Sequence, residues 1–592
     1  MDFFCNTVVL GSAIAEDPSF QFADTLHPRD ILAQMVDFQD HDSLRTGILY
    51  GVRRTGKSVL LRQWLLNLPY EERQRAAYLT IENESFVDIK KDLNLLRSNN
   101  YKYVVLDEVT ACKDFTGCSA SLADNYCSSG MKIFIAGTDT LSLWLAMTEG
   151  LFDRNYTLHT THIPFAEWKR LIGTGSLDDY IRWGGLLHLE PTEGELHHSS
   201  PLLWTADGMR QYFTSAISNN ILNSIRNYKD GQDAGLLGCL LQRNAMDSAV
   251  YGLFGSLTRR EFINYMDGIS DIDEKFLLSA LKSLVLVESH TFDEKNMFRQ
   301  FKLPDVSRTA SAFANKDDKL YEVMNHISKI LLNSAESLLE VKDYIGRYVS
   351  AAQFLDIVSY LRHLEVFAMR PSMAFPPLGA SIAELERYNA INRELHTQNL
   401  VSQPGLRYAQ ADCMKKLILD DAVFASLAKS DQEKILQTFE NGVYGLMQED
   451  IVLYETMQQC KQFGKVTLGD TSWLTYRSLP IKGYKAEFPR SSDDFRNKEI
   501  DLVIEDTRQG SSYHLLEIKH SAKMSPNQSQ WLRDSDVLAR IQRKNGTIQS
   551  KTVLYNGDSG NDGEIQYINI EEYLTTLHTH GIAETLTWLS QP

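Results

Sequence analysis

Short apolar runs in the first third of the chain alternate with segments whose apolar residues recur every three or four positions. The clearest runs are GILYG at 47–51, AAYLTIEN at 76–83, VVLDE at 104–108 and MKIFIAGTDT at 131–140. Runs of this length between helical patterns are typical of buried strands in a parallel sheet with helices on both faces. The pattern therefore predicts an α/β domain at 1–190, whose ligands would bind at the carboxyl ends of its strands.

From about residue 191 to 400 the apolar spacing becomes helical, which predicts a helical lid and linker domain. The segment 257–292 has the layout of a winged helix, with a short helix, a turn, a longer helix and a β-rich wing. Winged helices can read DNA, but Asp271, Asp273 and Glu274 put an acidic face at the start of the second helix. We therefore expect this module to pack against its neighbours or relay between them.

Prolines at 371, 376, 377 and 404 break the helical register and predict a domain boundary between 375 and 405. Beyond it the pattern changes to one helix followed by several strands. The segments that carry this pattern are DQEKILQTFENGVYGLMQED, SWLTYRSLP, NKEIDLVIED, YHLLEIKHS and KTVLYNGD. The region 401–592 is therefore expected to form a second α/β domain.

The sequence GILYGVRRTGKSVLLRQWL joins a strand to an amphipathic helix through a glycine-rich loop ending in Gly56-Lys57-Ser58. This is a complete Walker A motif in the strand–loop–helix context that the motif requires. The glycines let the loop wrap round phosphates, Lys57 would reach the β- and γ-phosphates of ATP, and Ser58 would bind Mg²⁺. The loop residues expected to contact the nucleotide are Gly51, Arg54, Thr55, Gly56, Lys57 and Ser58.

A second strand of this domain ends in two adjacent carboxylates. In VVLDE, Asp107 would hold Mg²⁺ and Glu108 would orient or deprotonate the attacking water. Thr138, at the end of the next strand, is placed to contact the γ-phosphate, although a turn or cap residue would also fit there. Arg154 precedes an amphipathic helix and could stabilise transition-state charge on a bound or neighbouring-subunit nucleotide, with a solvated surface arginine as the alternative.

The motifs GVRRTGKS, VVLDE, IFIAGTDTL, DRNYTLHTTHIPFAEW and YIRWGGL, in this order, resemble the AAA-type, archaeal-style ATPases that prokaryotes often fuse to a C-terminal PD-(D/E)xK nuclease-fold domain. The resemblance covers residues 40–190. It implies that Thr138 and Arg154 are the strand-end polar residue and the arginine of the family's nucleotide site. It also implies a restriction-endonuclease-like fold for the C-terminal domain.

Two C-terminal strands carry charged residues that fit such a domain. Asp501 in EIDLVI and Glu517-x-Lys519 in LLEIKH would face one another, so that the carboxylates bind Mg²⁺ or Mn²⁺ and the lysine positions the nucleophile or stabilises developing charge. Residues i and i+2 of a strand share a face, so Glu517 and Lys519 point into the same site. Glu440, in FENGVYGLM, resembles the helical acid that completes the family's metal site. An ordinary Glu517–Lys519 ion pair is the alternative, but it leaves Asp501 unexplained.

A formal net charge of −17 excludes a protein that coats nucleic acid along its whole surface. A local basic patch is expected instead, since 519–551 holds seven cations against two acids, although a solvated helix face would look similar. The seven cations of this segment are Lys519, Lys523, Arg533, Arg540, Arg543, Lys544 and Lys551. We expect nucleic acid to bind there, DNA in preference to RNA.

The chain also lacks the marks of secretion or membrane insertion. Its seven cysteines are scattered without a CxxC pair, which suits a reducing compartment. The apolar N-terminal stretch is short and has no basic residues before it, and no apolar run approaches the roughly 18 residues of a membrane span. The sequence therefore predicts a cytoplasmic protein, without fixing whether it is a monomer or a homo-oligomer.

These observations predict an ATP-hydrolysing switch that controls a C-terminal metal-dependent nuclease. The resemblance places such fusions in defence against foreign DNA or in mobile-element biology. An ATP-gated binding or scaffold protein with an inert nuclease fold is the alternative. A processive translocase is disfavoured because no helicase motif accompanies the two Walker motifs.

Overall fold

The computed structural model describes most residues at the two ends of the chain. The described residues are 2–187 without 42, 43, 113, 149, 174 and 186, and 365–591 without 366, 395–398, 406, 407, 409–414, 416, 417, 467, 469–471, 491–497, 544 and 545. The predicted winged helix at 257–292 and most of the predicted helical domain at 191–400 lie outside them.

The N-terminal domain is built on a six-stranded sheet in the order β1-β3-β4-β5-β2-β6, in which all neighbours run parallel except β1 and β3. Its strands are β1 (Thr7–Leu10), β2 (Thr46–Tyr50), β3 (Ala76–Thr80), β4 (Tyr103–Asp107), β5 (Lys132–Ala136) and β6 (Asn155–His159). Its helices are α1 (Pro18–Thr25), α2 (Ile31–His41), α3 (Lys57–Leu66), α4 (Tyr70–Arg73), α5 (Phe86–Ser98), α6 (Phe115–Cys118), α7 (Thr140–Thr148), α8 (Phe165–Ile172) and α9 (Leu177–Trp183). The predicted α/β fold with a mainly parallel sheet is confirmed.

Both faces of this sheet are buried, which explains why its strands are continuous apolar runs. In β4, Val104 and Leu106 belong to a core that includes residues of α5 and α7, whereas Tyr103 and Val105 belong to a core that includes residues of α2 and α3. Because β2, β4 and β5 are adjacent and parallel, their carboxyl ends meet at one edge of the sheet. The Walker A loop, the acidic pair and Thr138 all follow strands at this edge.

The C-terminal region contains a seven-stranded mixed sheet in the order β14-β15-β13-β12-β11-β10-β8 and a small two-stranded ribbon of β7 and β9. The strands are β7 (Phe367–Met369), β8 (Ser372–Ala374), β9 (Asn399–Val401), β10 (Ile481–Glu487), β11 (Glu499–Asp506), β12 (Ser512–Lys519), β13 (Thr547–Tyr555), β14 (Gly560–Asn561) and β15 (Gln566–Asn569). The helices are α10 (Ile382–Glu394), α11 (Ala422–Ala425), α12 (Lys429–Phe463), α13 (Trp473–Arg477), α14 (Gln530–Arg533), α15 (Ser535–Gln542) and α16 (Ile570–Leu589). No helix among the described residues is long and apolar enough to cross a membrane.

The C-terminal sheet begins before the expected boundary near residue 400. Strand β8 pairs in parallel with β10 at the edge of the sheet, with Ser372 opposite Lys485. Pro371 precedes β8, and Pro376 follows it by two residues. Proline is tolerated next to a short edge strand, because that strand leaves one side of its backbone unpaired. These prolines therefore flank a strand of the C-terminal sheet.

The two domains share one apolar core. Helix α8 packs on α16 and α9 packs on α12, and Phe165, Trp168 and Tyr180 are buried in the same cluster as residues of both C-terminal helices. Glu455 of α12 accepts a hydrogen bond of 2.7 Å from the backbone N–H of Phe165, at the start of α8. Glu571 of α16 does the same for the N–H of Leu177, at the start of α9, also at 2.7 Å. Carboxylates at helix N-termini satisfy donors that would otherwise be unpaired, so these contacts fix both helices on the C-terminal domain.

We predict that replacing His578 with Gln destabilises the protein more at about pH 5.5 than at about pH 8.5. His578 Nε2 lies 2.7 Å from Asp30 Oδ2, and this hydrogen bond raises the imidazole pKa above its ordinary 6.5 and lowers the pKa of Asp30. The stabilisation is therefore complete below pH 6.5 and is lost as the pH rises through the raised pKa. Because Asp30 is 46% exposed, we expect at most about 1 kcal/mol.

The free energy of unfolding, measured by urea titration at both pH values, checks this. Arg29 and Arg170 also act on Asp30, and Glu167 and Glu455 also act on His578, so these four side chains are left unchanged. His580→Gln removes a mostly exposed imidazole from the same helix and serves as the matched control. An equal loss of stability at the two pH values would contradict the prediction.

Candidate functional sites

The Walker A loop has the backbone geometry that its glycines were expected to provide. Gly51 and Gly56 have φ angles of 150° and 85°, which favour glycine. A Cβ atom on Gly51 would lie 2.4 Å from Thr160 Oγ1 and 2.8 Å from Thr161 Oγ1. Residue 51 therefore has to be glycine, because Thr160 and Thr161, which directly follow β6, approach the loop backbone so closely.

Lys57 is buried at the first position of α3, and its ammonium group is hydrogen-bonded to the loop backbone. Nζ donates hydrogen bonds of 2.8 Å to the carbonyl oxygens of both Gly51 and Val52. Burial lowers the pKa of Lys57 to about 8, and the nearby carboxylates of Glu108 and Asp107 oppose this shift. The ammonium group thus lies between the loop and the acidic pair, as a Walker A lysine should.

The acidic pair and Thr138 come together at the same edge of the sheet. Asp107 is buried at the end of β4, and its Oδ1 accepts a 3.0 Å hydrogen bond from the N–H of Glu108. Glu108 has a left-handed φ of 56°, an unusual backbone geometry for a residue with a side chain. Burial and the charge of Asp107 raise the pKa of Glu108, whereas a hydrogen bond from Thr138 lowers it. Thr138 therefore contacts the residue expected to handle water.

Two residues that the sequence did not point to hold this site in place. Tyr78 of β3 donates a 2.5 Å hydrogen bond to Asp107 Oδ2 and so orients the carboxylate from the neighbouring strand. Arg29 is buried beneath the loop, where its guanidinium donates to the carbonyl oxygens of Thr55 and Thr160 and to the carboxylate of Glu167. Neither residue belongs to a motif, because both act from distant parts of the chain.

Arg154 lies at the amino ends of the strands, opposite the carboxyl ends that carry the Walker A loop. It precedes β6 directly, and its carbonyl oxygen accepts a hydrogen bond from the N–H of Thr46, the first residue of β2. At about 3.3 Å per residue, the length of β2 puts Arg154 roughly 16 Å from the Walker A loop. Its side chain forms a half-exposed ion pair with Asp124 at 2.8 Å. The structure therefore does not bring Arg154 to the nucleotide site of its own chain, and a role at a neighbouring subunit's nucleotide stays a prediction.

The predicted C-terminal residues lie side by side on β11 and β12. Leu502 pairs with Leu516, so the register puts Asp501 opposite Glu517 one residue further on. Asp501 Oδ2 accepts hydrogen bonds from the N–H of Ile518 at 2.8 Å and from Lys519 Nζ at 2.9 Å. Lys519 Nζ also lies 2.7 Å from Glu517 Oε2. The two carboxylates are almost completely buried, and the lysine ammonium lies between them.

The helical acid of this cluster is Glu449, two and a half turns beyond Glu440 on α12. Glu440 pairs with Lys415 on another face, roughly 13 Å along the helix from Glu449. Burial raises the pKa of Glu449 to about 7, and the charge of Asp501 adds to this shift. Glu440 was expected from the Glu-Asn-x-Val segment, but the structure does not bring it together with Asp501. The acid that faces the cluster, Glu449, lies in the segment GLMQED. Only the packing of the folded helix determines which residue of α12 faces the strands.

Three further charged residues complete what we call the carboxylate cluster, which consists of Glu449, Glu499, Asp501, Glu517, Arg370, Lys485 and Lys519. Lys485 lies at a register shift between β10 and β11, 3.2 Å from Glu499 and 3.7 Å from Glu449. Such bulges redirect a side chain and are common beside functional sites. Arg370 Nη2 lies 3.8 Å from Glu449 Oε2. Four carboxylates thus meet three cations.

The carboxylate cluster has features that suit a bound cation. Glu517 Oε1 is buried and makes no hydrogen bond within the part of the chain that the structure describes. Burial and the charge of Asp501 raise the pKa of Glu517 well above its ordinary value. No three His, Cys, Asp or Glu side chains among the described residues are already arranged as a metal site, and Lys519 contacts both Asp501 and Glu517. Carboxylate oxygens are the ligands Mg²⁺ prefers, so the donor set fits once Lys519 moves aside.

In the predicted basic patch at 519–551, Lys519, Arg533, Arg540 and Lys551 are paired with carboxylates, whereas Lys523 and Arg543 are exposed. Arg533 pairs with Asp562 and Glu564, at 2.5 and 2.9 Å. Lys551 also pairs with Glu564, at 2.6 Å, and Arg540 is buried against Asp536. Lys544 lies outside the described residues. The expectation of a free positive surface was wrong for these cations, because the acids that pair with Arg533 and Lys551 lie beyond the segment in sequence.

Comparison with known proteins bears on the N-terminal domain. Residues 45–169 match a family model described as an AAA domain. No curated protein matches the chain. Among solved structures, the chain is similar to a DNA polymerase III gamma subunit-related protein from Thermotoga maritima, with 14% identity and a TM-score of 0.21, over 54% of this chain and 99% of that one. That TM-score is too low to carry an argument. The family match, on a domain with this Walker A loop and acidic pair, shows that the N-terminal part of the chain is an AAA-type P-loop ATPase domain.

Proposed function

We propose that the protein is an ATP-driven switch whose C-terminal domain is a metal-dependent nuclease of the PD-(D/E)xK type, acting on DNA. One observation carries the nuclease half of this proposal. Asp501 lies opposite Glu517 on neighbouring strands, with Lys519 on the same face and in contact with both carboxylates. An ordinary ion pair on a sheet surface would not bury two carboxylates beside each other, because each raises the cost of ionising the other.

The order of elements round this site supports the same assignment. Helix α12 precedes β10, β11 and β12, which are joined as antiparallel neighbours, and α15 then leads to β13, which runs parallel to β12. This order contains the α-β-β-β arrangement expected from the resemblance to PD-(D/E)xK domains, with the short helices α13 and α14 between its elements. The proposed catalytic residues thus lie on the two central strands of that unit.

At the proposed nuclease site, Glu449, Asp501 and Glu517 would hold Mg²⁺ or Mn²⁺. When bound, the metal would supply an activated water and neutralise charge on the scissile phosphate. Glu449 would be the helical metal ligand, the role that the resemblance implied for Glu440. Lys519 would leave the two carboxylates and position the nucleophile or the phosphate. Lys485 stays paired with Glu449 and Glu499 and offsets part of the negative charge of the cluster.

At the nucleotide site, the Walker A loop would cradle the phosphates of ATP. Lys57 would exchange its bonds to the loop carbonyls for bonds to phosphate oxygens, because a charged acceptor binds an ammonium more strongly than a carbonyl does. Ser58 and Asp107 would hold Mg²⁺, and Tyr78 keeps Asp107 oriented for this. Glu108 would act on the attacking water, and Thr138 would sense the γ-phosphate through its bond to Glu108.

We predict that Lys57→Ala lowers ATP affinity by about 100-fold, since charge-assisted hydrogen bonds to phosphate contribute up to about 3 kcal/mol. Titration of a fluorescent ATP analogue measures this. Lys91→Ala, which removes an exposed lysine on α5, is the control and should bind ATP like the wild type. Unchanged affinity in the Lys57 variant would contradict the assignment of the nucleotide site.

We predict that Glu108→Gln retains ATP binding but hydrolyses ATP about 10²- to 10⁴-fold more slowly, because the amide cannot accept a proton from water. Phosphate release and nucleotide affinity are measured in parallel. Glu84→Gln changes a carboxylate that caps a neighbouring loop, and hydrolysis should stay near the wild-type rate. Equal hydrolysis by the Glu108 variant and the wild type would remove Glu108 from the reaction.

We predict that Glu449→Gln slows Mg²⁺- or Mn²⁺-dependent DNA cleavage by about 100-fold or more, since a lost metal ligand removes several kcal/mol of transition-state stabilisation. Glu440→Gln is the matched control on the same helix and should cleave like the wild type. Asp501→Ala and Lys519→Ala should both be inactive. Plasmid and single-stranded DNA are tested with ATP present, and thermal unfolding confirms that each variant is folded.

The outcomes separate the proposed nuclease from an ATP-gated binding protein with an inert nuclease fold. Cleavage that survives in Glu449→Gln but is lost in Glu440→Gln would return the helical ligand to its sequence-based position. If the wild type leaves both DNA substrates intact, the inert binding protein becomes the better assignment.

A further inference from the structure

A turn residue just before β7 of the C-terminal region reaches the flank of the Walker A loop. Glu365 lies two residues before β7, and its carboxylate contacts two residues at the end of β6. His159 Nδ1 lies 2.5 Å from Glu365 Oε1, and the Thr161 hydroxyl donates to Glu365 Oε2. All of these side chains are at least partly buried. Glu365 thus supplies a contact to the ATPase domain from outside the region that the AAA family model matches.

Thr161, which donates to Glu365, is also hydrogen-bonded to the Walker A loop. The N–H of Val52, inside the Walker A loop, donates a 3.0 Å hydrogen bond to Thr161 Oγ1. Gln403, which follows β9 at the same end of the β7–β9 ribbon, donates a 2.7 Å hydrogen bond to the carbonyl oxygen of Thr161. Two residues of the ribbon therefore hold Thr161 from both its side chain and its backbone. Any shift of the loop on nucleotide binding is passed to the end of this ribbon.

The other end of the same strand lies at the carboxylate cluster. Arg370 follows β7 directly, is 3% exposed, and lies 3.8 Å from Glu449 and 3.7 Å from Asp450. The carbonyl oxygen of Pro371 accepts a 2.9 Å hydrogen bond from the N–H of Lys485, and Ser372 pairs opposite Lys485 in the sheet. Glu365, which has a left-handed φ of 59°, and Arg370 therefore flank the three-residue strand β7 on either side.

This segment is suited to transmit a displacement. Ala368 and Met369 of β7 are 8% and 2% exposed and belong to the apolar core that the two domains share. A strand held on both sides by close-packed side chains and by hydrogen bonds to β9 moves as a unit, because local bending would open voids in the core. A shift of β7 is thus carried to Arg370, which follows the strand directly.

We propose that the segment Glu365–Ala374 couples the nucleotide site to the carboxylate cluster, with Glu365 positioning the Walker A loop through Thr161 and Arg370 positioning Glu449. The Glu449 end rests on the proposed nuclease function, whereas the Glu365 end rests on the ATPase domain alone. Nucleotide binding moves the loop, Thr161 and Glu365, and the strand then moves Arg370 relative to Glu449. Because coupling is reciprocal, a cation at the cluster changes nucleotide affinity by the same factor.

Hydrogen exchange in the full-length protein tests the coupling without relying on cleavage. The readout is exchange of the β10 amides, 481–487, with and without a non-hydrolysable ATP analogue at saturating concentration. In the wild type we expect a nucleotide-dependent change of about tenfold, which is typical of allosteric coupling. In Glu365→Ala this change should fall below about twofold, with the analogue still bound. Glu365→Gln, which retains a hydrogen-bond acceptor for Thr161, should restore most of the change.

Glu386→Gln is the matched control, because it changes an exposed glutamate of α10 in the same region and should behave like the wild type. Arg370→Lys tests the other end and should reduce the nucleotide-dependent change with the analogue still bound. A wild type whose β10 amides do not respond to nucleotide, or a Glu365→Ala variant that responds fully, would overturn the proposal. DNA cleavage is measured alongside, so that a normal exchange response without cleavage counts only against the nuclease.

Discussion

One buried guanidinium, that of Arg29, links the Walker A loop to the helix on which the two domains meet. It donates to the carbonyl oxygen of Thr55 in the loop, to that of Thr160 after β6, and to the carboxylate of Glu167 in α8. The first N–H of α8, that of Phe165, is in turn bonded to Glu455 of the C-terminal domain. A buried cation is stable only when its partners stay in place, because an unpaired charge in the interior costs several kcal/mol. The position of the loop and the position of the C-terminal domain are therefore not independent.

The groups of residues that the sequence predicted to lie together, and that the structure brings together, are those set by nearby positions in the chain. A Walker A loop needs its residues at fixed spacing, and the pair Asp107-Glu108 needs only a strand end, so both are visible in a single segment. Asp501, Glu517 and Lys519 were also found, because a short hairpin fixes their register. Glu449, Lys485, Arg370, Arg29 and Tyr78 were missed, since each reaches its site from a distant part of the chain. Glu440 and Glu449 share one helix, and only the packing of α12 on the sheet determines which acid faces Asp501.

Both sites contain backbone geometry that regular structure would avoid. Glu108 has a left-handed φ at the end of β4, and Lys485 lies at a register shift in β10. A left-handed residue with a side chain costs of order 1–3 kcal/mol, and the surrounding structure has to hold it. At Glu108 the bond from its own N–H to Asp107 and the contact with Thr138 do so. Neither distortion is visible from the sequence alone, because the same residue types are common in unstrained strands.

The charge balance of the carboxylate cluster explains how a small movement of Arg370 could control whether the cluster takes up a proton or a cation. Arg370, Lys485 and Lys519 each lie close to two carboxylates, and Asp450 adds a fifth carboxylate beside Arg370, so the described residues of this region carry an excess of negative charge. A proton can neutralise it, and the raised pKa values of Glu449 and Glu517 identify the carboxylates that would take the proton. A divalent cation can do the same, but it competes with Arg370, Lys485 and Lys519 for the same oxygens. A displacement of Arg370 away from Glu449 removes one competitor and raises the affinity for the cation, because Coulomb interactions in a buried site are only weakly screened. In the coupling proposed above, the position of a single arginine, beside the strand that follows Glu365, would thus favour either the proton or the metal.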